Sequence, residues 1–255
     1  MKNRPKILVT NDDGITSKGI FSLIQVAKEF GDVIVVAPDK PQSATGHSIT
    51  IHHPLRLNKY INFDGVEAYS CSGTPVDCVK LAIYEILNGK PDLLLSGINH
   101  GENTSTNVLY SGTMSAAVEG AMENIPSIGF SLANFSVDAE FSGAQWAARQ
   151  IISKSMEKNI PENTCLNVNV PDLPMDSLKG FRICRQAHAF WADRFDKRLD
   201  QFGKTYYWLT GEFSNMDTHE DTDLTAMKNG FVSIVPTHFD MTAYQVLDKL
   251  KNWNL

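Results

Sequence analysis

Cysteine is scarce: the 255 residues hold four, Cys71, Cys78, Cys165 and Cys184, and no two share C-x-x-C spacing. That excludes a disulfide-stapled scaffold and a thiolate zinc module, and it predicts reduced thiols in the core, as in a reducing compartment. Long apolar runs are missing as well. The first, ILVT at residues 7–10, stops at Asn11 and is too short for a secretory core or a membrane span. A cytoplasmic protein without membrane contact is expected. Positive charge is in deficit, 23 Lys and Arg against 29 Asp and Glu, for a net charge of −6. Nucleic-acid polymers are thereby excluded as partners, because binding them requires a basic surface that displaces counterions. Small phosphates stay open to an acidic chain through a metal ion and backbone amides. No G-x-G-x-x-G follows the first apolar run and no G-x-x-x-x-G-K occurs, which removes a dinucleotide-dependent dehydrogenase and a Walker-type NTPase.

What is present reads as a single α/β domain over residues 1–255. Hydrophobic residues make up 42% and charged residues 20%, as in ordinary globular proteins, and neither repeat nor linker divides the chain. KILVT (6–10) and DVIVVAP (32–38) are short Val- and Ile-rich runs of the kind that form buried parallel strands. Between them Ile20, Leu23, Ile24, Ala27 and Phe30 recur at helical spacing, and Gly31 stops the helix. Thr74 as N-cap, Pro75 behind it and Asp77 three residues on open a second helix that reaches residues 88–91. DLLLSG (92–97), PSIGFSL (126–132) and CLNVNVP (165–171) supply further strands, with helices near 111–122 and within about 138–157. This alternation predicts a doubly wound, mostly parallel, Rossmann-like sheet with helices on both faces.

From about Asp172 to Asn229 the periodicity is lost, and Gly203 marks a hairpin turn. An extended C-terminal arm or hairpin is expected there. Its aromatics, Phe190, Trp191, Phe195, Phe202, Tyr206, Tyr207 and Trp208, need covering, and a second copy of the chain would cover them. FVSIVPT (231–237) and a short helix after Thr242 return the chain to the fold.

Four polar clusters fall at strand ends, where open α/β sheets bind ligands. Asn11, Asp12 and Asp13 follow the first strand, and Gly14 lets the loop turn so that both carboxylates converge. APDKPQSATGHSIT (37–50) follows the second and offers Ser43, and SGINHGENTSTN (96–107) offers Asn99. Asp12, Asp13, Ser43 and Asn99 together form a set of oxygen ligands without His or Cys, which favours magnesium, manganese or calcium over zinc. Ser111, Gly112 and Thr113 stand at a helix start, where free amides and the helix dipole seat a phosphate.

The stretches ILVTNDDGI, APDKPQSATGHSIT, SGTPVDCV, PDLLLSGINHGENTSTNVLYSGTMSAAVEG and DTDLTAMKNGFVSIVP, in order over nearly the whole chain, resemble the SurE survival-protein family. That family comprises metal-dependent 5'-nucleotidases acting on nucleoside monophosphates. The resemblance implies a phosphatase that hydrolyses nucleoside monophosphates, with 3'-nucleotides and short polyphosphate as further substrates. It implies one divalent cation per subunit, magnesium or manganese with calcium able to substitute in a crystal, held by Asp12, Asp13, Ser43 and Asn99. Asn11, Asn103, Ser111, Gly112 and Thr113 are implied at the phosphate, with Asp12, Asp13 and Asn11 as the catalytic residues. A swapped arm at about 172–229 would build a homodimer or homotetramer. Glu102 departs from the pattern by adding an acid beside the site.

In-line attack by water is the expected chemistry, since adjacent acids lack the D-x-D spacing of phosphatases that form a phospho-aspartate. His47, His100 and His238 lie near the loops and qualify as general acids, although a hydrogen-bonded or exposed role is the expectation for each. The run His219, Glu220, Asp221, Asp223 reads as a solvated turn and helix start. A response-regulator receiver would need an Asp where the 92–97 strand ends, and Ser96 and Asn99 stand near there instead. A noncatalytic nucleotide-binding protein is the alternative that would retain the phosphate seat.

Overall fold

A computed structural model describes residues 4–253. In chain order its strands are β1 (Lys6–Thr10), β2 (Asp32–Pro38), β3 (Leu57–Lys59), β4 (Glu67–Cys71), β5 (Leu93–His100), β6 (Ser127–Leu132), β7 (Thr164–Val170), β8 (Phe181–Ile183), β9 (Ala189–Leu199), β10 (Thr205–Asn215) and β11 (Val232–His238). The helices are α1 (Lys18–Ala27), α2 (Pro75–Leu81), α3 (Gly112–Met122), α4 (Ser142–Lys158), α5 (Asp223–Lys228) and α6 (Tyr244–Lys251). Nine strands form one sheet in the order β3-β4-β2-β1-β5-β6-β7-β11-β8, and β9 and β10 form a separate antiparallel ribbon.

The central strands are parallel, as their burial on both faces requires. Ile7 and Val9 of β1 pack with Leu23 and Ile24 of α1 and Ala147 and Ala148 of α4 on one face. Leu8, between them, points to the other face with Leu94, Cys78 and Val79 of α2 and Ala116 of α3. The alternation of side chains along a strand thus distributes one apolar run between two cores. Leu94, fully buried on β5, tests the second core. Leu94→Ala is expected to lower the unfolding free energy by about 3 kcal/mol in a denaturant titration. A loss below about 1 kcal/mol would mean that this face collapses around the cavity.

The predicted elements are present, with their ends adjusted. The first helix stops at Ala27 rather than Phe30, and α2 gives way after Leu81 to one wider turn over Ala82–Ile86. Thr74 caps α2 as expected, its hydroxyl accepting from the Asp77 amide while the Asp77 carboxylate accepts from the Thr74 amide. The edge strand β3 and its neighbour β4 have no counterpart in the sequence pattern, because LNK and EAYSC mix polar and small residues without an apolar run.

Within 172–229 the structure is more regular than the sequence suggests. Only 189–215 leaves the body, as two paired 11-residue strands joined by a turn at Gly203 (φ +77°). β8 instead edges the main sheet beside β11, and α5 packs against β11 and β7. β11 runs antiparallel to β7 and closes the fold. All four cysteines are buried and unpaired. No helix of the described residues is long and apolar enough to cross a membrane.

Candidate active site

β1 delivers Asn11, Asp12 and Asp13 to the carboxyl edge of the sheet. Asn11 is fully buried, and its side-chain Nδ2 donates to the Gly14 carbonyl and to Ser17 Oγ, both at 2.9 Å. Ser17 in turn caps α1, so the asparagine fixes the turn that follows the strand. Its Oδ1 is buried without a hydrogen-bond partner in the protein.

Asp12 is 5% exposed and faces the start of α3, where Thr113 Oγ1 donates to its Oδ1 at 2.5 Å. Gly112 lies so close that a Cβ there would stand 2.7 Å from Asp12 Cβ and 2.8 Å from Oδ2. Only a residue without a side chain lets the helix approach the carboxylate in this way. Burial, and then the charge of Asp13, push the Asp12 carboxyl up to about 6, against opposing hydrogen bonds from Thr113.

Asp13 is half-buried and turned toward β5: its Oδ2 accepts from the His100 backbone amide at 3.0 Å and lies 3.1 Å from His100 Nδ1. The imidazole is held edge-on against Phe141, with ring centroids 5.1 Å apart. Asn99, next in the chain, spends its Nδ2 on the Gly101 carbonyl at 2.8 Å, which leaves its oxygen as a free ligand. Ser43 belongs to the loop after β2, tied to the site where the Gln42 amide donates to the Asp12 carbonyl at 2.8 Å. The same loop is joined to the turn before α3 where the Gly46 amide donates to the Tyr110 carbonyl at 3.2 Å. All four sequence-derived oxygen donors therefore stand on segments that touch the acid pair or belong to it.

Ser111 caps α3, its Oγ accepting from the Met114 amide at 3.0 Å, so Gly112 and Thr113 open the helix. Asn103 is committed elsewhere: Nδ2 donates to Ser131 at 2.8 Å, its amide to Asn169 and its carbonyl accepts from Asn167. Among the described residues no hydrogen bond joins Asn103 to the acid pair. Glu102 lines a cavity of about 400 Å³ with Pro171, Asp172, Leu173, Met227 and Lys228, and burial pushes its carboxyl up.

Of the histidines, His100 reaches the acids. His47 instead pairs with Glu119 at 2.9 Å, and Lys80 pairs with the same carboxylate at 2.5 Å. Burial raises the Glu119 carboxyl, but hydrogen bonds from His47 and Lys80 outweigh it and hold the group below its usual range. Nothing in the sequence marks this link between the Ser43 loop, α2 and α3. Asp223, expected in a solvated turn, is fully buried.

The residues present suit a hard divalent cation. Two carboxylates sit side by side with no Lys or Arg paired to them among the described residues, and a buried Asn oxygen is unpartnered. No group of three His, Cys, Asp or Glu side chains assembles among the described residues.

A family model described as Survival protein SurE matches residues 7–193, which span the acid pair, the α3 start and the first five residues of β9. This chain belongs to the SurE family. It is 56% identical over 254 residues to the 5'-nucleotidase SurE of Flavobacterium psychrophilum, covering 99% of each chain. To the 5'-nucleotidase SurE of Caldanaerobacter subterraneus subsp. tengcongensis it is 42% identical over 255 residues, covering 99% of this chain and 98% of that one. The crystal structure of the SurE protein from Aquifex aeolicus superposes with a TM-score of 0.86 at 40% identity, over 98% of this chain and 100% of that one. The SurE match places β1, β5 and α3 within the family pattern, while β10, α5 and β11 are supported by the full-length relatives.

Proposed function

We propose that this SurE chain is a metal-dependent 5'-nucleotidase that hydrolyses nucleoside monophosphates to nucleoside and phosphate. The reading rests on the abutment of Asp12 against Gly112 and Thr113, which sets a buried acid against the start of α3. One divalent cation per subunit, magnesium or manganese, held by Asp12, Asp13, Ser43 and Asn99, would neutralise phosphoryl charge and supply a Lewis acid.

The chain's own groups do the rest. His100 fixes Asp13 through its backbone amide and ring, both at Oδ2, and among the described residues no hydrogen bond reaches Oδ1. Asn11 is anchored by its Nδ2 and presents a buried oxygen at the strand end. Ser111, Gly112 and Thr113 offer the positive end of α3 to the phosphoryl oxygens, where developing charge is stabilised without reorganisation. Water attacks phosphorus in line, and 3'-nucleotides and short polyphosphate are accepted where the same phosphoryl group reaches the seat.

Residues 1–255 act as one phosphatase domain in the cytoplasm, with the arm as the assembly device. Trp208, Phe195 and Phe202 are 60, 67 and 77% exposed on the hairpin, an apolar surface that supports a homodimer or homotetramer. Trp208→Asp is expected to shift the mass measured by light scattering to that of a monomer. A wild-type protein that already runs as a monomer would remove the assembly.

The function itself is tested by incubating the purified protein with 5'-AMP and magnesium or manganese and measuring adenosine and inorganic phosphate. Equal amounts of the two products are expected. A folded protein that binds 5'-AMP and releases neither would be a nucleotide-binding protein instead.

A further inference from the structure

We propose that Asp223 is a positioning residue for the phosphate seat, acting through Ser105. The proposal rests on the reading that Ser111, Gly112 and Thr113 hold the substrate phosphate.

Asp223 opens α5 and is fully buried, yet among the described residues no cation pairs with it. The nearby Arg185 is spent on Asp217, at 2.5 and 3.1 Å, and on Asp221, at 2.9 Å. What the Asp223 carboxylate does instead is gather three backbone amides, two from distant segments and one from its own helix start. Oδ2 accepts from Ser105 at 2.8 Å, and Oδ1 accepts from Ala187 at 3.0 Å and from Leu224 at 2.8 Å. A buried carboxylate is costly, and it is retained where several donors must be held at once.

Ser105 is the residue that this arrangement constrains most. It holds a left-handed conformation, φ +53°, that is uncommon for a residue with a side chain. Its hydroxyl lies 3.0 Å from the Ala187 carbonyl and 2.8 Å from that of Ala189, and it accepts from the Ala189 amide at 3.0 Å. From Ser105 the chain winds through a short six-residue 3-10 helical turn, Ser105–Tyr110, directly into Ser111. That turn docks on the root of the hairpin, where Thr106 Oγ1 donates to the Ala189 carbonyl at 2.6 Å and Trp191 Nε1 donates to Asn107 Oδ1 at 2.9 Å. Its last carbonyl receives the Gly46 amide from the loop that carries Ser43. A short rigid turn transmits displacement at its start to its end, so the anchor at Ser105 sets where the α3 N-terminus stands relative to Asp12. Asp223 touches neither phosphate nor metal ligands, and its effect on them runs through the backbone.

The experiment compares Asp223→Asn, Ser105→Gly and Gly112→Ala with the wild-type full-length chain. For each, KM for 5'-AMP, Ki for inorganic phosphate, Mn2+ affinity by electron paramagnetic resonance and Tm are measured. The Asp223→Asn side chain keeps the shape but offers an N–H to a segment amide that needs an acceptor, so KM and Ki are expected to rise about tenfold, as for a misplaced binding group. Mn2+ affinity is expected to change much less than either constant, because Asp12, Asp13 and Asn99 stand on β1 and β5 or at their ends, and only Ser43 is tied to this segment, through the Gly46 to Tyr110 bond. Ser105→Gly tolerates the left-handed backbone and removes only the hydroxyl bonds, so it tests the Ser105 anchor through which Asp223 acts; it is expected to move the same two constants in the same direction, and if Asp223→Asn fails to fold, unmoved constants in Ser105→Gly overturn the proposal. A fall in Tm with KM and Ki unmoved in the folded variants would overturn the proposal, as would Mn2+ and phosphate affinities falling together. If Gly112→Ala raises Ki but neither other variant does, the role of Asp223 alone is rejected. If Gly112→Ala also leaves Ki unmoved, the seat itself lies elsewhere and the proposal falls with it.

Discussion

Asp12→Asn is expected to lower kcat/KM for 5'-AMP by about a thousandfold or more, equivalent to about 4 kcal/mol of transition-state stabilisation, while leaving the protein folded. The substitution keeps the volume and the bond from Thr113, and removes the charge that a divalent cation requires. Its second signature is in stability, with the sign fixed by linkage. In the metal-free protein the Asp12 carboxyl titrates at about 6, above its ordinary 3.8, so the folded state binds the proton more tightly than the unfolded one. Stability is therefore full at low pH and declines as pH rises from about 4 to about 6, by about 3 kcal/mol for a buried group, and then levels off. In the Asn variant that decline should be absent from thermal melts recorded with EDTA, and Tm at neutral pH should be higher than in the wild type. A variant that retains wild-type turnover, or that loses stability at neutral pH without metal, would contradict the assignment of Asp12 as a charge held for a cation.

The second large effect is at Gly112. A methyl group there would meet Asp12 at 2.7–2.8 Å, closer than non-bonded carbon and oxygen tolerate, and both of its neighbours are constrained. Asp12 is held by Thr113 and by the end of β1, and α3 is packed against β5 and β6. Relief comes either by turning the carboxylate off its line or by withdrawing the helix start, and both separate the acid from the seat. Gly112→Ala is expected to cost about a hundredfold in kcat/KM, the scale of an ångström-level misplacement. The stability change should be small, because the helix preference for alanine offsets part of the overpacking. A variant with wild-type kcat/KM would show that the close approach of α3 to Asp12 is incidental.

The parts of this fold that can be read in the sequence are those buried on two faces. β1, β2, β5, β6 and β7 stand out as continuous apolar runs because helices cover both sides of them. β4 pairs with β2 on one side and with the three-residue β3 on the other, and its half-buried EAYSC carries no such run. The hairpin strands are regular in the backbone, yet almost all of their side chains face outward, so no core imposes an apolar period on them. The site divides in the same way. Asp12, Asp13 and the Ser111 to Thr113 start follow from local rules: a strand that ends in acids, and a helix that begins with a cap. Glu119 and Asp223 do not, since their partners lie 72 and 118 positions away and their burial is decided by packing rather than by neighbours. Around Asp223 the run THEDTD reads as polar because four of its six residues are exposed, while the last carboxylate turns inward.

The acceptor for the Ser105 amide lies far downstream, beyond the hairpin and just before β11, the last strand of the chain to be made. Chains are synthesised from the N-terminus, and domains acquire structure as segments emerge. A ribosome that has delivered everything through β7 has exposed the acid pair, α3 and most of both cores, but not the carboxylate that anchors the turn before the seat. With the seat and its anchor as proposed, competence toward nucleotides would arrive near the end of translation, and a chain released early would carry the acid pair without its finished partner surface. The order of the polypeptide itself would then withhold activity from incomplete products.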